Sequence, residues 1–157
     1  AGKTYDVEKY FVINHLKSQQ ALVNRMKKYW TSGFGSDYNQ NRHEAFSVLE
    51  VIDTLDDVID QIKEETGHKP ELIATDARQF PNSKSYMEMR NIIYQNSEKP
   101  YLIIFGTGWG LTEETLERCH HMLDPIYGRG DFNHLSVRSA ASIIMDRLLS
   151  APWWEQD

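Results

Sequence analysis

Cysteine is nearly missing from this sequence: Cys119 is the only one in 157 residues. That excludes an internal disulfide framework and fits a reducing compartment. Long apolar runs are missing too. The longest, Tyr101 to Phe105, is far too short to span a bilayer. The opening residues, Ala-Gly-Lys-Thr-Tyr, lack the apolar region of a secretory signal. These absences set the expectation of a cytoplasmic protein with no membrane partner. Positive charge is in deficit, with 17 Lys and Arg against 23 Asp and Glu and a formal net charge of −6. That counts against nucleic-acid binding over the whole surface, because phosphates reward clustered Lys and Arg. A local basic patch is not excluded. Repeats, low-complexity tracts and linkers are also lacking, so no domain boundary is placed within residues 1–157.

What is present is ordinary for a globular chain, 40% hydrophobic and 25% charged, and long enough to bury a core. Short apolar runs alternate with amphipathic stretches. Strands are expected at Tyr10–Ile13, Phe46–Ile52, Leu72–Ala74, Tyr101–Phe105 and Met122–Ile126. Tyr101–Phe105, the most hydrophobic, is expected at the centre of the sheet. Helices are expected at Gln19–Trp30, from Asp53-Thr54 to about Glu65, at Ser83–Tyr94 capped by Ser83 or Asn82, at Thr112–His120 and at Leu135–Leu149. This order predicts an α/β protein with a mostly parallel central sheet and helices on both faces. Ligands of such sheets sit at the carboxyl ends of the strands. The loops after Ala74, Phe105 and Ile126 are therefore the places to look.

Two of those loops carry chemistry. In Phe105-Gly106-Thr107-Gly108-Trp109-Gly110-Leu111, glycines at alternate positions allow positive φ and close approach of a ligand. The dinucleotide fingerprint fails because Leu111 stands where its third glycine belongs, and no Gly-Lys-Ser/Thr follows to make a P-loop. A tight turn without a ligand is the alternative. The second loop, from Leu123 to Ser139, enters an apolar helix through a polar cluster: Asn133, His134, Ser136, Arg138 and Ser139. Asn133 is the expected cap, or Ser136 if the helix begins later. Exposed N–H groups at such a helix start could meet a ligand carboxylate or hydroxyls. An ordinary capped helix explains the same residues.

The pair "LIIFGTGWGLTEE" and "LDPIYGRGDFNHLSVRSAASIIMDRLL" resembles the last two motifs of the SPOUT RNA methyltransferases. "SQQALVNRMKKYWTSGFGSDYNQNRHEAFS" and "ELIATDARQFPNSKSY" are similar to one bacterial family within that class, sometimes fused behind a tRNA guanine-N1 methyltransferase. The resemblance covers nearly the whole chain. It implies a single domain binding S-adenosylmethionine (SAM), with a C-terminal deep trefoil knot, in a homodimer. It implies methyl transfer to structured RNA, tRNA or rRNA, or, alternatively, an accessory module that supports a partner methyltransferase. It also implies that the family's first strand and helix, which would precede Gly2, are not in this sequence. Carried over, the SAM pocket uses Thr75, Asp76 and Ala77; then Phe105, Gly106, Thr107, Gly108, Trp109 and Gly110. Its knotted wall uses Leu123, Asp124, Ile126, Asn133, His134, Leu135 and Ser136. No metal is implied.

For chemistry, Arg138 and Ser136 are the candidates to assist catalysis or place the substrate, with His134 as a reserve base. His134 and Arg138 are four apart and would share a helix face. Arg138 could instead pair with Asp131 or Asp124 and pin the loop. For the dimer, Val137, Ala140, Ala141, Ile144, Met145 and Leu148 could cover both a core face and part of an interface. His120-His121 reads as a surface or strand-edge pair, since no third ligand lies at metal spacing, and Cys119 as a packed thiol. Tyr29, Trp30, Phe34 and Tyr38 surround Gly33 and Gly35. They read first as a packed loop or subunit interface, and second as a platform for stacking bases. Arg25, Lys27, Lys28 and Arg42 beside them are the best local basic patch. Trp153 and Trp154 read as an anchor for the tail.

Overall fold

The computed structural model describes residues 1–151, so Trp153 and Trp154 lie outside the described residues. The chain divides into two compact units, one of Ala1–Glu65 and one beginning at Thr66.

In the first unit, strands β1 (Tyr10–Ile13) and β2 (Leu49–Ile52) pair in parallel, Tyr10 opposite Leu49 and Ile13 opposite Ile52. Helices α1 (Lys17–Thr31), α2 (Gly33–Tyr38) and α3 (Gln40–Ser47) connect them, and α4 (Leu55–Thr66) follows β2. Local chemistry sets the boundaries. Asn39 accepts from the Arg42 N–H (3.0 Å) and caps α3, and Thr54 accepts from the Asp57 N–H (3.1 Å) to open α4. The expected strand at Phe46–Ile52 starts only at Leu49. Phe46 belongs to α3, where its ring stacks on Trp30 with centroids 6.5 Å apart. That tertiary partner decides its state over the apolar run.

The second unit holds a four-stranded parallel sheet in the order β4-β6-β3-β5. Its strands are β3 (Glu71–Ala74), β4 (Ser83–Lys84), β5 (Tyr101–Ile104) and β6 (His121–Leu123); its helices are α5 (Tyr86–Gln95), α6 (Glu113–Arg118) and α7 (Val137–Leu149). The fold is α/β, with parallel sheets and helices. The central strand is β3, whose Leu72, Ile73 and Ala74 are buried on both faces. In this sheet β5 lies at the edge and pairs with β3 alone, against the expectation that it sits at the centre. Hydropathy reports what covers a strand's two faces; it does not report what pairs with its flanks.

Three boundaries also move. Ser83 joins β4, and the helix begins after Ser85, which forms a reciprocal capping box with Glu88. The Ser85-x-x-Glu88 spacing was there to be read. Likewise α6 stops at Arg118, short of His120, whose Nδ1 accepts from the Leu72 N–H (2.9 Å). The last strand is His121–Leu123, so Pro125 and Ile126 fall in the loop beyond it. One face of β3 and β6 carries the core: Ile73 and Leu123 pack with Met89 of α5 and with Ile144 and Leu148 of α7.

At the start of β6, His121 is fixed by two partners. Lys84 Nζ can only donate, so His121 Nδ1 accepts from it (2.8 Å) and Nε2–H points to Glu71 (2.5 Å). Glu71 also meets Lys99 (3.3 Å), and these partners, His121 first, hold its carboxyl below the usual range against its burial. Cys119 donates to the Thr115 carbonyl (3.3 Å), and burial pushes its thiol pKa up, which suits packing and not attack.

Candidate functional site

Because β3, β5 and β6 run parallel, their carboxyl ends open on one edge of the sheet. The chain leaves β3 for β4 on one flank, returns to β5 on the other, then crosses back to β6 between β4 and β3. Such a reversal leaves a crevice at the strand ends. A cavity of about 280 Å³ lies there, lined from all three loops and from α7.

The first loop gives Thr75, Asp76 and Ala77. Thr75 Oγ1 donates to the Ile104 carbonyl (2.8 Å), tying the end of β3 to the end of β5. Asp76 is nearly buried and holds Arg78 in a fork: backbone N and Nε donate to Oδ1 (2.8 and 3.0 Å), Nη2 to Oδ2 (2.8 Å). The Arg78 guanidinium is the main reason the Asp76 carboxyl stays below its ordinary range, over the opposing effect of burial. A group whose folded pKa is depressed stabilises the fold above its unfolded pKa and loses that contribution as pH falls through the folded value. We therefore expect thermal melting of Asp76→Asn to show a flatter acid limb than the parent chain. Arg78→Ala, which leaves the carboxylate buried without its cation, should lower stability at neutral pH and also flatten the acid limb, because the carboxyl then titrates nearer its unfolded value. Superimposable melting-against-pH curves for the three proteins would refute this role of the pair.

The second loop gives Phe105, Gly106, Gly108, Trp109 and Gly110. Gly106 has no space for a side chain: a Cβ there would lie 2.4 Å from the Gly110 carbonyl carbon and 2.6 Å from the Leu111 nitrogen. Gly108 and Gly110 take positive φ, 62° and 87°. Trp109 is fully exposed, and Thr107 faces solvent instead of the cavity, its carbonyl accepting from the Gly110 N–H (3.3 Å).

The third segment gives Asp124, Ile126, Asn133, His134 and Leu135. Leu123 is fully buried in the core and does not reach the cavity. Ser136 does not line it either; it is the helix cap, accepting from the Ser139 N–H (3.3 Å). Asn133, the expected cap, instead donates from Nδ2 to the Ala77 carbonyl (2.7 Å) and stitches the third segment to the first. A second stitch runs from Tyr127 Oη to Gln79 (3.0 Å) and from Gln79 Nε2 to Asp124 (3.0 Å). Since α7 starts at Val137, His134 precedes the helix and shares no helical face with Arg138. Arg138 is exposed, outside the cavity lining, and makes no ion pair among the described residues; in particular it pairs with neither Asp131 nor Asp124.

Sequence reasoning missed Arg78, Tyr86, Val137, Ala140 and Ile144 as lining residues. Tyr86 supports Asp124 by donating to its carbonyl (2.9 Å), and burial raises its phenol pKa. The Val137, Ala140, Ile144 stripe, at helical spacing, was read as core and interface. Val137 and Ala140 in fact face the cavity, and Ile144 both lines it and closes the core. Among the described residues no His, Cys, Asp and Glu cluster could hold a metal ion, and no helix is long and apolar enough to cross a membrane.

A family model described as "SAM-dependent RNA methyltransferase" matches residues 1–150. The chain belongs to this family. SAM is the cofactor of these methyltransferases. The chain is 40% identical over 149 residues to an uncharacterized protein of Aquifex aeolicus, covering 95% of this chain and 72% of that one. It is 36% identical over 146 residues to a tRNA (guanine-N(1)-)-methyltransferase of Oleidesulfovibrio alaskensis, covering 93% of this chain and 33% of that protein. The chain thus spans about a third of the length of that longer relative. Among solved structures, a probable methylase family protein from Haemophilus influenzae superposes with a TM-score of 0.63 at 18% identity, covering 98% of this chain and 56% of that one. That likeness shows the shared fold. The cavity chemistry fits the family's cofactor: apolar Phe105, Ile126 and Leu135 suit an adenine ring, and glycine backbone offers close approach.

Proposed function

We propose that the chain is the SAM-binding part of a methyltransferase that acts on structured RNA, tRNA or rRNA, in the cytoplasm. The observation that carries this reading is the cavity at the ends of β3, β5 and β6, built by three mutually stitched loops in a chain of this family. Residues 1–157 would form one SPOUT-class domain, with the third segment and α7 as the wall of a trefoil knot. A fused or separate tRNA guanine-N1 methyltransferase is the proposed partner, since the chain matches about a third of a longer relative that bears that name.

When bound, SAM supplies a methyl group already activated on a positively charged sulfur, so no metal is required. The chain's own residues bind and position. The apolar lining would exclude water from an adenosyl group, the Gly106–Gly110 backbone would allow its close approach, and the Asp76–Arg78 pair fixes the wall beside it. His134, exposed at the cavity, is the group placed to take a proton from an acceptor hydroxyl or amine. Arg138, exposed and without an ion pair among the described residues, could grip a phosphate in two contacts, which Lys could not do as well. Arg138→Ala is expected to lower methyl transfer to RNA at least tenfold while SAM affinity and melting temperature stay unchanged. Radiolabel transfer, calorimetry and thermal melting read the three quantities. Unchanged transfer with loss of SAM affinity would remove Arg138 from the substrate side.

The accessory-module reading keeps one observation in its favour: Ser136 and Arg138 lie outside the cavity lining. Transfer from labelled SAM into bulk RNA, followed by nucleoside analysis, separates the two.

We also propose a homodimer that covers the cavity mouth. Ile144 and Leu148 are spent in the core, so α7 offers a partner less than its composition suggested. Among the exposed apolar groups, Trp109 and Leu135 line the cavity, and Tyr127 and Phe132 lie in the same third segment as Leu135. Light scattering at micromolar concentration should give twice the chain mass, and Trp109→Ala with Phe132→Ala should halve it. A monomeric parent chain would refute the dimer.

A further inference from the structure

We propose that α2, the Arg42 end of α3 and the adjoining turns of α1 form a docking surface for unpaired RNA. The proposal rests on the RNA methyltransferase reading and adds where the substrate strand is held. The first argument is charge. Residues 18–43 contain Arg25, Lys27, Lys28 and Arg42 and a single carboxylate, Asp37, in a chain of 17 Lys and Arg against 23 Asp and Glu. Lys27 is anchored on the Leu49 carbonyl, whereas Arg25, Lys28 and Arg42 are exposed and form no ion pair among the described residues. Glu44 is the one acidic group on α3. A polyanion is the partner that such a local excess attracts.

The second argument is the aromatic groups. Tyr29, Trp30 and Phe46 pack on one another, with the Arg42 guanidinium 4.5 Å over the Trp30 ring. Phe34 and Tyr38 do the opposite. Among the described residues they stack on each other, centroids 5.7 Å apart and planes 19° from parallel, and remain 73% and 72% exposed. The packed-loop reading therefore fails for these two. Their exposure is built in. Gly33 turns the chain at φ 65°, and Gly35 is buried so tightly that a Cβ would lie 2.1 Å from the Tyr29 carbonyl oxygen. The backbone of α2 is thus clamped to the end of α1, and its two rings are presented outward. Paired flat faces in a segment whose exposed cations form no ion pair among the described residues match what a single strand offers, bases that stack and phosphates that need neutralising. Duplex RNA hides its base faces and would lack the first half of that match.

The test uses the full chain with 5′-labelled unpaired RNA of mixed sequence, read by fluorescence anisotropy, with a duplex of the same strand for comparison. SAM affinity is measured by calorimetry on the same preparations. The parent chain is expected to prefer the single strand and to weaken with salt. Phe34→Ala with Tyr38→Ala should reduce affinity about tenfold or more, as the loss of base stacking commonly does. Arg25→Glu with Lys28→Glu should do likewise, while Phe34→Trp should keep it, and SAM affinity should not move. Three results would overturn the proposal: no affinity of the parent chain for unpaired RNA, unchanged affinity in both double variants, or variants that alter the oligomeric state while RNA affinity stays. If the parent chain methylates RNA and the variants do so with unchanged KM, the surface is wrong and the enzyme stands. If SAM does not bind, the enzyme reading fails while the anisotropy still decides this surface.

Discussion

Gly106→Ala should abolish measurable SAM binding, a loss of about a hundredfold or more, and lower the melting temperature. The methyl group would have to occupy space 2.4 Å from a carbonyl carbon and 2.6 Å from the next nitrogen, both backbone atoms with no rotamer to escape through. The Gly106–Leu111 loop must open, and with it goes the surface proposed to meet the ligand. Gly128→Ala is the matched control, since nothing lies within 4 Å of its Cβ position and its φ is not positive. It should stay within about 0.5 kcal/mol of the parent in stability, as surface substitutions usually do. Calorimetric titration and thermal melting of both variants read the outcome. A Gly106→Ala chain that binds SAM within threefold of the parent would show that the loop reshapes freely and is no fixed part of the site. Gly108→Val should also lose binding, but for a different reason: nothing in the protein crowds its Cβ, and the cost is a β-branched residue held at φ 62° beside the cavity.

Leu148→Ala carries the largest stability effect expected. Leu148 is fully buried among Ile73, Met89, Leu123 and Ile144. Removing its branched end leaves a void in a cluster drawn from two strands and two helices, none of which can close in alone. Such truncations cost about 2–5 kcal/mol, which at the size of the second unit is roughly 10 °C or more in melting temperature. SAM affinity should fall as well, because Ile144, one turn away, serves core and cavity together. Urea unfolding with a midpoint shift worth less than about 1 kcal/mol would contradict this placement of Leu148. Met145→Ala, on the half-buried flank of the same helix, should cost clearly less.

Much of this was legible before any coordinates. Alternation of apolar runs with helical stripes gave the α/β order, and the rule of strand ends pointed to the three loops that meet at the cavity. Failures came where a neighbour far along the chain decided the outcome. Phe46 went to a helix because Trp30 was waiting for its ring. His120 left its helix to serve a β3 amide. Leu123 turned away from the cavity because period-two geometry gives a strand residue one face or the other, and the core claimed it. Arg78 carried a usable signal, an arginine two residues beyond an aspartate in a tight turn. Tyr86, placed by a buried hydroxyl contact to Asp124, carried none. The helix start was readable as Asn133 or Ser136, and only the Ala77 carbonyl, 56 positions back, takes Asn133 out of contention.

The cavity draws its walls from residues as early as Thr75 and as late as Ile144. During synthesis, all four strands of the second unit emerge before Ile144, the residue that both closes their core and completes the pocket. Any product terminated before Ile144 would lack the last wall and be blind to the cofactor. Cofactor capture then works as an end-of-line inspection: only a finished chain gains the stabilisation that binding brings, and truncated copies remain without that protection.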